Sequence, residues 1–571
     1  MADIVTGMYC SILEGEPMVK LFRRTMSIFG KQQTGILSAA SVIMTMVLFS
    51  RILGLLRDRL LAARFTPEQL GVYYAAFRLP NMLFELLVMG ALITAFIPVF
   101  TAFCDTKGKK EAFSMASSVI NIGLAIFAVC SLPLLIFTDK ISSFLAPGFS
   151  ADQIRLMVTF TRIMVIAQVF PLIIGNFFTG ILQSFRNFII PSFAPVAYNI
   201  GIIVCIVILS PFFGLYAPVI GVVLGAILFT AVQVPLVFAV GYRHEWRFSI
   251  SNPGTREVGK LMLPRALGLA VSQIDTTMDL ILASLLGAGA VTVFNFAQHL
   301  QQVPIGLFGA SISQAALPTL SLLYAKKDLS EFKKVFLASY QQIFFLVIPI
   351  SIIFIVLRIP MVRLIFGAST LFDWDSTVAT GKTLALFSIS LFAQSLVHLL
   401  ARSFYALHDT RTPVIIGAIS VMINTVLSVL FIMYYHLEVW ALGLSASLAG
   451  IFNMLLLIIA LDKKVGCFNR YELLMPVIKV ILSGMVAGVA LYIPIKLLDQ
   501  LVFDTTKTIN LMFLTIISTL FGLSVYLFLT WFLEVPQAGM VTALFKRARE
   551  LRRGVVIDTT QEVVNVQEKN V

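Results

Sequence analysis

ILSAASVIMTMVLFSRILGLLRDRLLA, residues 36–62, decides the fold. The run exceeds the ~20 apolar residues that carry a helix across a bilayer. Its second half nevertheless holds Ser50, Arg51, Arg57, Asp58 and Arg59. Charge at bilayer depth is costly, so such side chains face a partner or a water-filled cavity. The pattern recurs with Arg78 and Glu85, with Arg162, and with Arg265, Asp275 and Asp279 in later apolar runs. The chain reads as an all-α polytopic membrane protein whose polar interior is cationic on one side.

Composition agrees. Of 571 residues, 58% are hydrophobic and 12% charged, against about 25% charged in a soluble domain. Mean hydropathy is +0.94. The net charge of +13 does not point to nucleic acid, because Lys and Arg are spread through short loops between apolar segments. Five scattered cysteines with no CxxC argue against a disulfide framework or a zinc site. Residues 1–32 lack a signal-peptide pattern. MVKLFRRTMSIFGKQ, from Met18, reads as an amphipathic helix on the inner leaflet or as a solvated tail.

About fourteen spanning helices are expected, near 36–62, 72–103, 113–138, 154–184, 190–211, 215–242, 258–286, 289–322, 332–357, 378–406, 412–434, 439–461, 474–495 and 510–533. With the N-terminus inside, sixteen Lys and Arg fall in inner loops, among them Lys109, Arg186, Arg247 and Lys463. Six fall outside: Arg64, Lys140, Arg358, Arg363, Lys496 and Lys507. This positive-inside asymmetry predicts both ends in the cytoplasm. KRARELRR, from Lys546, falls inside as well.

An internal repeat of about 220 residues relates GALITAFIPVF (from Gly90) to ASISQAALPTL (from Ala310), FRNFIIP (Phe185) to HDTRTP (His408), and LYAPVIG (Leu215) to VWALGLS (Val439). Each copy holds six helices, so the copies are parallel about an axis along the membrane normal. The expected organisation is a cytoplasmic extension 1–34, an N-lobe 35–243, a C-lobe 257–465, two added helices in 472–534 and a basic tail 535–571.

Spacing places the charges. Arg51 and Asp58, seven apart, share a helix face, and Arg57 points about a third of a turn away. Arg78 and Glu85 share a face by the same spacing. Arg265 and Asp279 are roughly aligned, with Asp275 one turn from Asp279. Arg59, Arg64 and Arg155 lie near helix ends, where an arginine braces or snorkels. Arg51, Arg57, Arg78 and Arg265 converge on the expected lobe interface. The planar, permanently charged guanidinium suits phosphate oxygens. His299 and His398 lie within spans, where a lone histidine is ordinarily a hydrogen-bonded interior residue rather than a proton relay. Asp275 and Asp279, with Asn424 and Ser428, offer oxygen ligands for a hard cation such as Na⁺. No P-loop, HExxH or GxSxG motif occurs. The energy for movement is expected from a gradient, the membrane potential or the substrate.

SRILGLLRD (Ser50), AAFRLPN (Ala75), GALITAFIPVF (Gly90), APGF (Ala146), FRNFIIPSFAPVAYNI (Phe185) and FYALHDTRTP (Phe404) together resemble the MurJ (MviN) lipid II flippases of the multidrug/oligosaccharidyl-lipid/polysaccharide exporter superfamily. They occur in the family's order and spacing over about residues 35–465. The resemblance implies alternating access by two six-helix lobes and a lipid-tail groove formed by the last two helices. It implies a monomer in the bacterial inner membrane. It implies a lipid II substrate, undecaprenyl pyrophosphate bearing a disaccharide-pentapeptide, with membrane lipids as the other partners and no nucleic acid. Arg51, Arg57 and Asp58 match the family's first-helix charges. Asp279 and Asn424 fall where some members hold Na⁺.

The chain departs from the family where Gly71 replaces an acidic residue, Phe84 an arginine, Met89 a glutamate, Gln298 an acidic residue and His299 an arginine. The alternative cargo is another polyprenyl-linked glycan or a small molecule. A polyprenyl-phosphate glycosyltransferase would want acidic residues in an outer loop, and the longest one offers only Asp373 and Asp375.

Overall fold

A capping box and the break at Phe77 cut the stretch from Thr66 to Met89 into short helices. The long helix Ile36–Arg64 ends just before Thr66. There the Thr66 and Gln69 side chains each accept the other's backbone N–H, a capping box that starts Pro67–Ala76. Phe77 interrupts the path, Arg78–Phe84 follows, and a π-helical turn spans Glu85–Met89. Ser150 and Gln153 form a second capping box at the head of Ala151–Ala167.

The computed structural model describes residues 36–89, 95–367, 369–501 and 507–539. The extension 1–34, with its segment from Met18, and the basic run from Lys546 lie outside them. All regular elements among the described residues are helical. Among the described residues ten helices are long and apolar enough to cross a membrane. There are eleven if Trp374–Ser388 and Leu391–Ala406, bent by 46°, form one span. The count of fourteen is consistent with this. The three other expected spans, 36–62, 72–103 and 258–286, carry charges or are broken. Apolar side chains stand open where lipid would touch them: Val129 is 67% exposed and Val489 66%.

By internal packing the described residues form two compact units. The first takes residues up to Val303 with Met361–Phe387 and Val414–Asn453. Its core is aromatic: the Phe96 ring lies 5.4 Å from both Phe100 and Phe177. Two glycines are dictated by close approach. A Cβ on Gly71 would lie 1.8 Å from the Ala288 carbonyl oxygen, and one on Gly148, in the APGF motif, 2.0 Å from that of Ser284. Only glycine lets these backbones meet.

The second unit holds Pro304–Pro360, Ser388–Pro413 and the described residues from Met454 on. Leu329–Val356 packs there against Arg470–Leu501 and Leu391–Ala406. The Tyr526 hydroxyl donates to the Phe345 carbonyl at 2.7 Å.

The repeated FRNFIIP and HDTRTP motifs make the same turn. Arg186 (φ 60°) and His408 (φ 57°) are left-handed. In each case the next residue's N–H reaches back five positions, Asn187 to Leu182 at 3.0 Å and Asp409 to Phe404 at 2.9 Å, closing the helix end. Asp409 then caps Arg411–Val429. Its carboxylate accepts from the Arg411 and Thr412 amides at 3.0 Å, the Thr412 hydroxyl at 2.6 Å and the Lys464 ammonium at 2.6 Å. Burial alone would raise its pKa, but Lys464 and Thr412 hold it well below the ordinary carboxylate range. The folded value is depressed, so the stabilisation is full above the unfolded value of about 3.9 and fades as pH falls toward the folded value. Asp409→Asn should lower the melting temperature of the purified protein at pH 7. The gap to wild type should narrow below about pH 4. A pH-independent gap would contradict this account of the cap.

Candidate functional site

Asp58 is the centre of the polar interior in the first unit. It is 2% exposed, and each carboxylate oxygen has a partner. Oδ1 accepts from Arg57 Nε at 3.0 Å and Nη2 at 2.8 Å. Oδ2 lies 2.8 Å from His299 Nδ1. Helical spacing alone sends Arg57 to another face. Its long side chain folds back, so adjacent residues pair. A buried carboxylate needs such compensation, because an unpaired one is strongly destabilising.

Asn199, on Ile189–Phe213, ties this pair to Ser50. Its oxygen accepts from Arg57 Nη1 at 3.4 Å, and its amide nitrogen donates to Ser50 Oγ at 3.2 Å. Asn199 belongs to the FRNFIIPSFAPVAYNI motif, and the reason for its place there becomes visible only when the helices are packed.

Two cavities open on this cluster. The first, about 250 Å³, is lined by Arg57, Tyr73, Tyr74, Arg78, Tyr198 and His299, among others. The second, about 230 Å³, is lined by Ser50, Arg51, Arg57, Asp58, Asn199 and His299, among others. Arg57 and His299 are common to both. The structure thus brings Ser50, Arg51, Arg57, Asp58, Arg78 and His299 to one pair of cavities.

Arg78 is held from the neighbouring helix Pro253–Leu285. Its Nε donates to Thr277 Oγ1 at 2.9 Å and Nη2 to Gln273 Oε1 at 2.8 Å. The Gln273 amide in turn donates to Glu85. Arg78 and Glu85, matched by spacing, are therefore joined through a third residue. Gln273 and Thr277 were not singled out from sequence; the signal was their i, i+4 spacing on the same helix as Asp275 and Asp279.

The second polar cluster joins Asp275, Asp279 and Asn424. The Asn424 amide nitrogen donates to Asp275 Oδ1 at 2.8 Å and Asp279 Oδ1 at 3.5 Å. Its oxygen is buried without a partner among the described residues. Ser428 is not brought to the carboxylates: its hydroxyl meets Ser445 Oγ at 2.6 Å. Arg162 is not brought to either cavity. It is part-exposed and pairs with Asp139 at 2.7 Å. The Arg265 side chain lies outside the described residues. Arg59 binds the Leu364 carbonyl, a bracing contact.

A family model described as "Lipid II flippase MurJ" matches residues 65–513. The chain belongs to the MurJ family. It is 29% identical over 428 residues to the lipid II flippase MurJ of Burkholderia cenocepacia, covering 73% of this chain and 82% of that protein. To the probable lipid II flippase MurJ of Bdellovibrio bacteriovorus it is 27% identical over 516 residues, covering 89% and 96%. Its fold is that of a MurJ structure in the inward closed conformation (TM-score 0.72, 23% identity, 87% of this chain and 99% of that one). A multidrug resistance MATE transporter of the MOP superfamily, inward-facing, shares it more distantly (TM-score 0.62, 14% identity, 75% and 98%). The chain is a multi-pass membrane transport protein of the MurJ family.

Four of the positions at which the resemblance implies a different residue have a physical setting. Gly71 sits where the Ala288 backbone leaves no room for an acidic side chain. Gln298 and His299 both line the larger cavity. Phe84 packs on the apolar core. The Met89 side chain lies outside the described residues.

Proposed function

We propose that this chain carries lipid II, the undecaprenyl-pyrophosphate-linked disaccharide-pentapeptide, from the inner to the outer leaflet of the bacterial inner membrane by alternating access. One observation carries the reading: in a chain of the MurJ family, Arg57 stands on a buried carboxylate and lines both polar cavities. An arginine fixed in this way presents its free donors to phosphate without losing side-chain freedom on binding. Arg51 adds a second cation at one cavity and Arg78 at the other. The Arg265 charge completes the proposed set.

In this account the pyrophosphate binds with the cavity open inward, the headgroup crosses, and the polyprenyl chain stays in lipid along 472–534. The lobes 35–243 and 257–465 alternate as a monomer, with both termini in the cytoplasm. A potential negative inside favours export of an anion by about 2.3 kcal/mol per charge per 100 mV. Reconstituted into vesicles, the chain should expose inner-leaflet lipid II to an enzyme added outside, faster than vesicles without it. Movement of a different polyprenyl-linked glycan but not of lipid II would favour the alternative cargo.

Asp275, Asp279 and Asn424 fit Na⁺ as a coupling ion. Two carboxylates and an amide are a hard oxygen donor set, and turning the Asn424 amide over would bring its unpartnered oxygen to the carboxylates. Among the described residues no three His, Cys, Asp or Glu side chains gather as a transition metal would require. When bound, Na⁺ would offset the repulsion between the two carboxylates. Replacing K⁺ by Na⁺ at constant ionic strength should raise the melting temperature of the wild type. Asp279→Asn should remove that difference, because binding to the folded state stabilises it by mass action. A wild type indifferent to Na⁺ would remove the site from the account.

A further inference from the structure

We propose that His299 is a proton-linked cation of the headgroup site: protonated, its Nε2–H joins Arg57 in holding anionic phosphate oxygens, and deprotonated it releases them. The proposal rests on the reading that the cargo headgroup bears a pyrophosphate. It begins with the contacts of Asp58. Arg57 occupies one carboxylate oxygen, at 2.8 and 3.0 Å, and His299 Nδ1 the other, at 2.8 Å. An ionised carboxylate only accepts hydrogen bonds, so Nδ1 carries the proton. In the neutral ring Nε2 is then a lone pair, which repels an anionic oxygen. A second proton turns the same atom into a charged donor. The hydrogen bond to Asp58 also fixes the ring's orientation, as second partners of histidine do.

Charge balance makes this proton decisive. Arg57 and Asp58 offset one another. The titratable and charged groups that face His299 come from four elements. Ile36–Arg64 supplies Arg51, Arg57 and Asp58, and Pro67–Ala76 supplies Tyr73 and Tyr74. Arg78 and Tyr198 come from the two others. Arg78 is occupied by Gln273 and Thr277. Asp58 is the only carboxylate lining either cavity among the described residues. The Tyr74 ring meets the imidazole edge-on, 5.9 Å between centroids. Among the described residues only Arg57 and His299 line both cavities, so a proton on His299 changes the net charge presented to a ligand in either. Imidazole is the side chain whose charge changes between pH 5 and 8. Anion binding is therefore expected to be tight at the acid end and to weaken as pH rises.

The test uses the full chain in lipid nanodiscs with ¹⁵N-labelled histidine. The chain has five histidines, and His299→Asn identifies the resonance by its loss. The Asn amide can still donate to Asp58, so this variant keeps the pair covered. Saturating inorganic pyrophosphate should raise the His299 titration midpoint by about one pH unit, which by linkage is tenfold tighter binding to the protonated form. Read against His299→Asn at each pH, which carries the effect of the ligand's own ionisation, the wild-type affinity for pyrophosphate should fall about tenfold from pH 5.5 to 8, whereas His299→Arg should bind more tightly than His299→Asn by a constant factor across that range. An unmoved midpoint, or the wild-type slope retained in His299→Asn, would overturn the proposal. A parallel arm with lipid II separates this from the cargo reading. If pyrophosphate moves the midpoint and lipid II does not bind, the cargo is wrong and the proton-linked site stands. If lipid II binds with one pH slope in wild type and His299→Asn, the cargo stands and the proposal falls.

Discussion

Arg57→Ala should abolish headgroup translocation, by about a hundredfold or more, with protein still present in the membrane. Two charge-assisted hydrogen bonds to a phosphate are worth about 1.5–3 kcal/mol each, and each 1.4 kcal/mol is a factor of ten. The substitution also has a structural cost, because it leaves Asp58, 2% exposed, with His299 as its only ionic partner. Breaking a buried pair in this way costs about 3–5 kcal/mol. The two effects can be separated. Adding Asp58→Asn to Arg57→Ala removes the uncompensated carboxylate, so the double variant should recover most of the lost melting temperature and none of the transport. Arg57→Lys keeps the charge and loses the fork, and should fall between. Transport at the wild-type rate in Arg57→Ala would remove this residue from the headgroup site. Recovery of transport in the double variant would reduce its role to neutralising Asp58.

Gly71→Asp should prevent folding. The new Cβ would lie 1.8 Å from the Ala288 carbonyl oxygen and 2.5 Å from its carbon. Both atoms are backbone, so no side chain can swing aside. The helix Pro67–Ala76 would have to move off the start of Ala288–Pro304. It is held there by further contacts, including the Thr292 hydroxyl on the Pro67 carbonyl. The aspartate would also enter a position that is buried. Overpacking of this kind costs about 1–3 kcal/mol where side chains can adjust, and a backbone clash beside a buried charge exceeds that range. Loss of the monodisperse peak in detergent is the expected readout. Even Gly71→Ala should lower the melting temperature clearly. A Gly71→Asp protein as stable as the wild type would show that the two helices approach less closely than described.

Much of the architecture was legible because membrane spans declare themselves by length and apolarity. The charged interior was legible for the same reason, since Arg57, Asp58, Arg78 and Asp279 have no business in hydrocarbon without partners. What periodicity could not supply was the pairing. Arg57 and Asp58 lie on different faces of an ideal helix, and only the reach of the arginine brings them together. Ser428 shares a face with Asn424 by spacing, yet the Ser445 hydroxyl on the next helix is closer and takes it. Arg162 lies in an apolar run, but Asp139, 23 residues earlier, meets it on an exposed face. Gln273 and Tyr74 are ordinary residues in a helix and acquire meaning only once Arg78 and His299 are set beside them. Gly71 reads in sequence as a lost charge. The structure shows a contact between backbones that no side chain could share.

The central claim is tested most directly in cells. The resident lipid II flippase of a bacterial host is depleted, this chain is expressed, and the fraction of lipid II cleaved by an enzyme added outside is measured. The account predicts that cleavage is restored, and that Arg51→Ala and Arg57→Ala, at equal membrane abundance, each fail to restore it. Lipid II that stays protected while the wild-type chain is abundant in the membrane, and while the same chain also fails to move lipid II in vesicles, would contradict it.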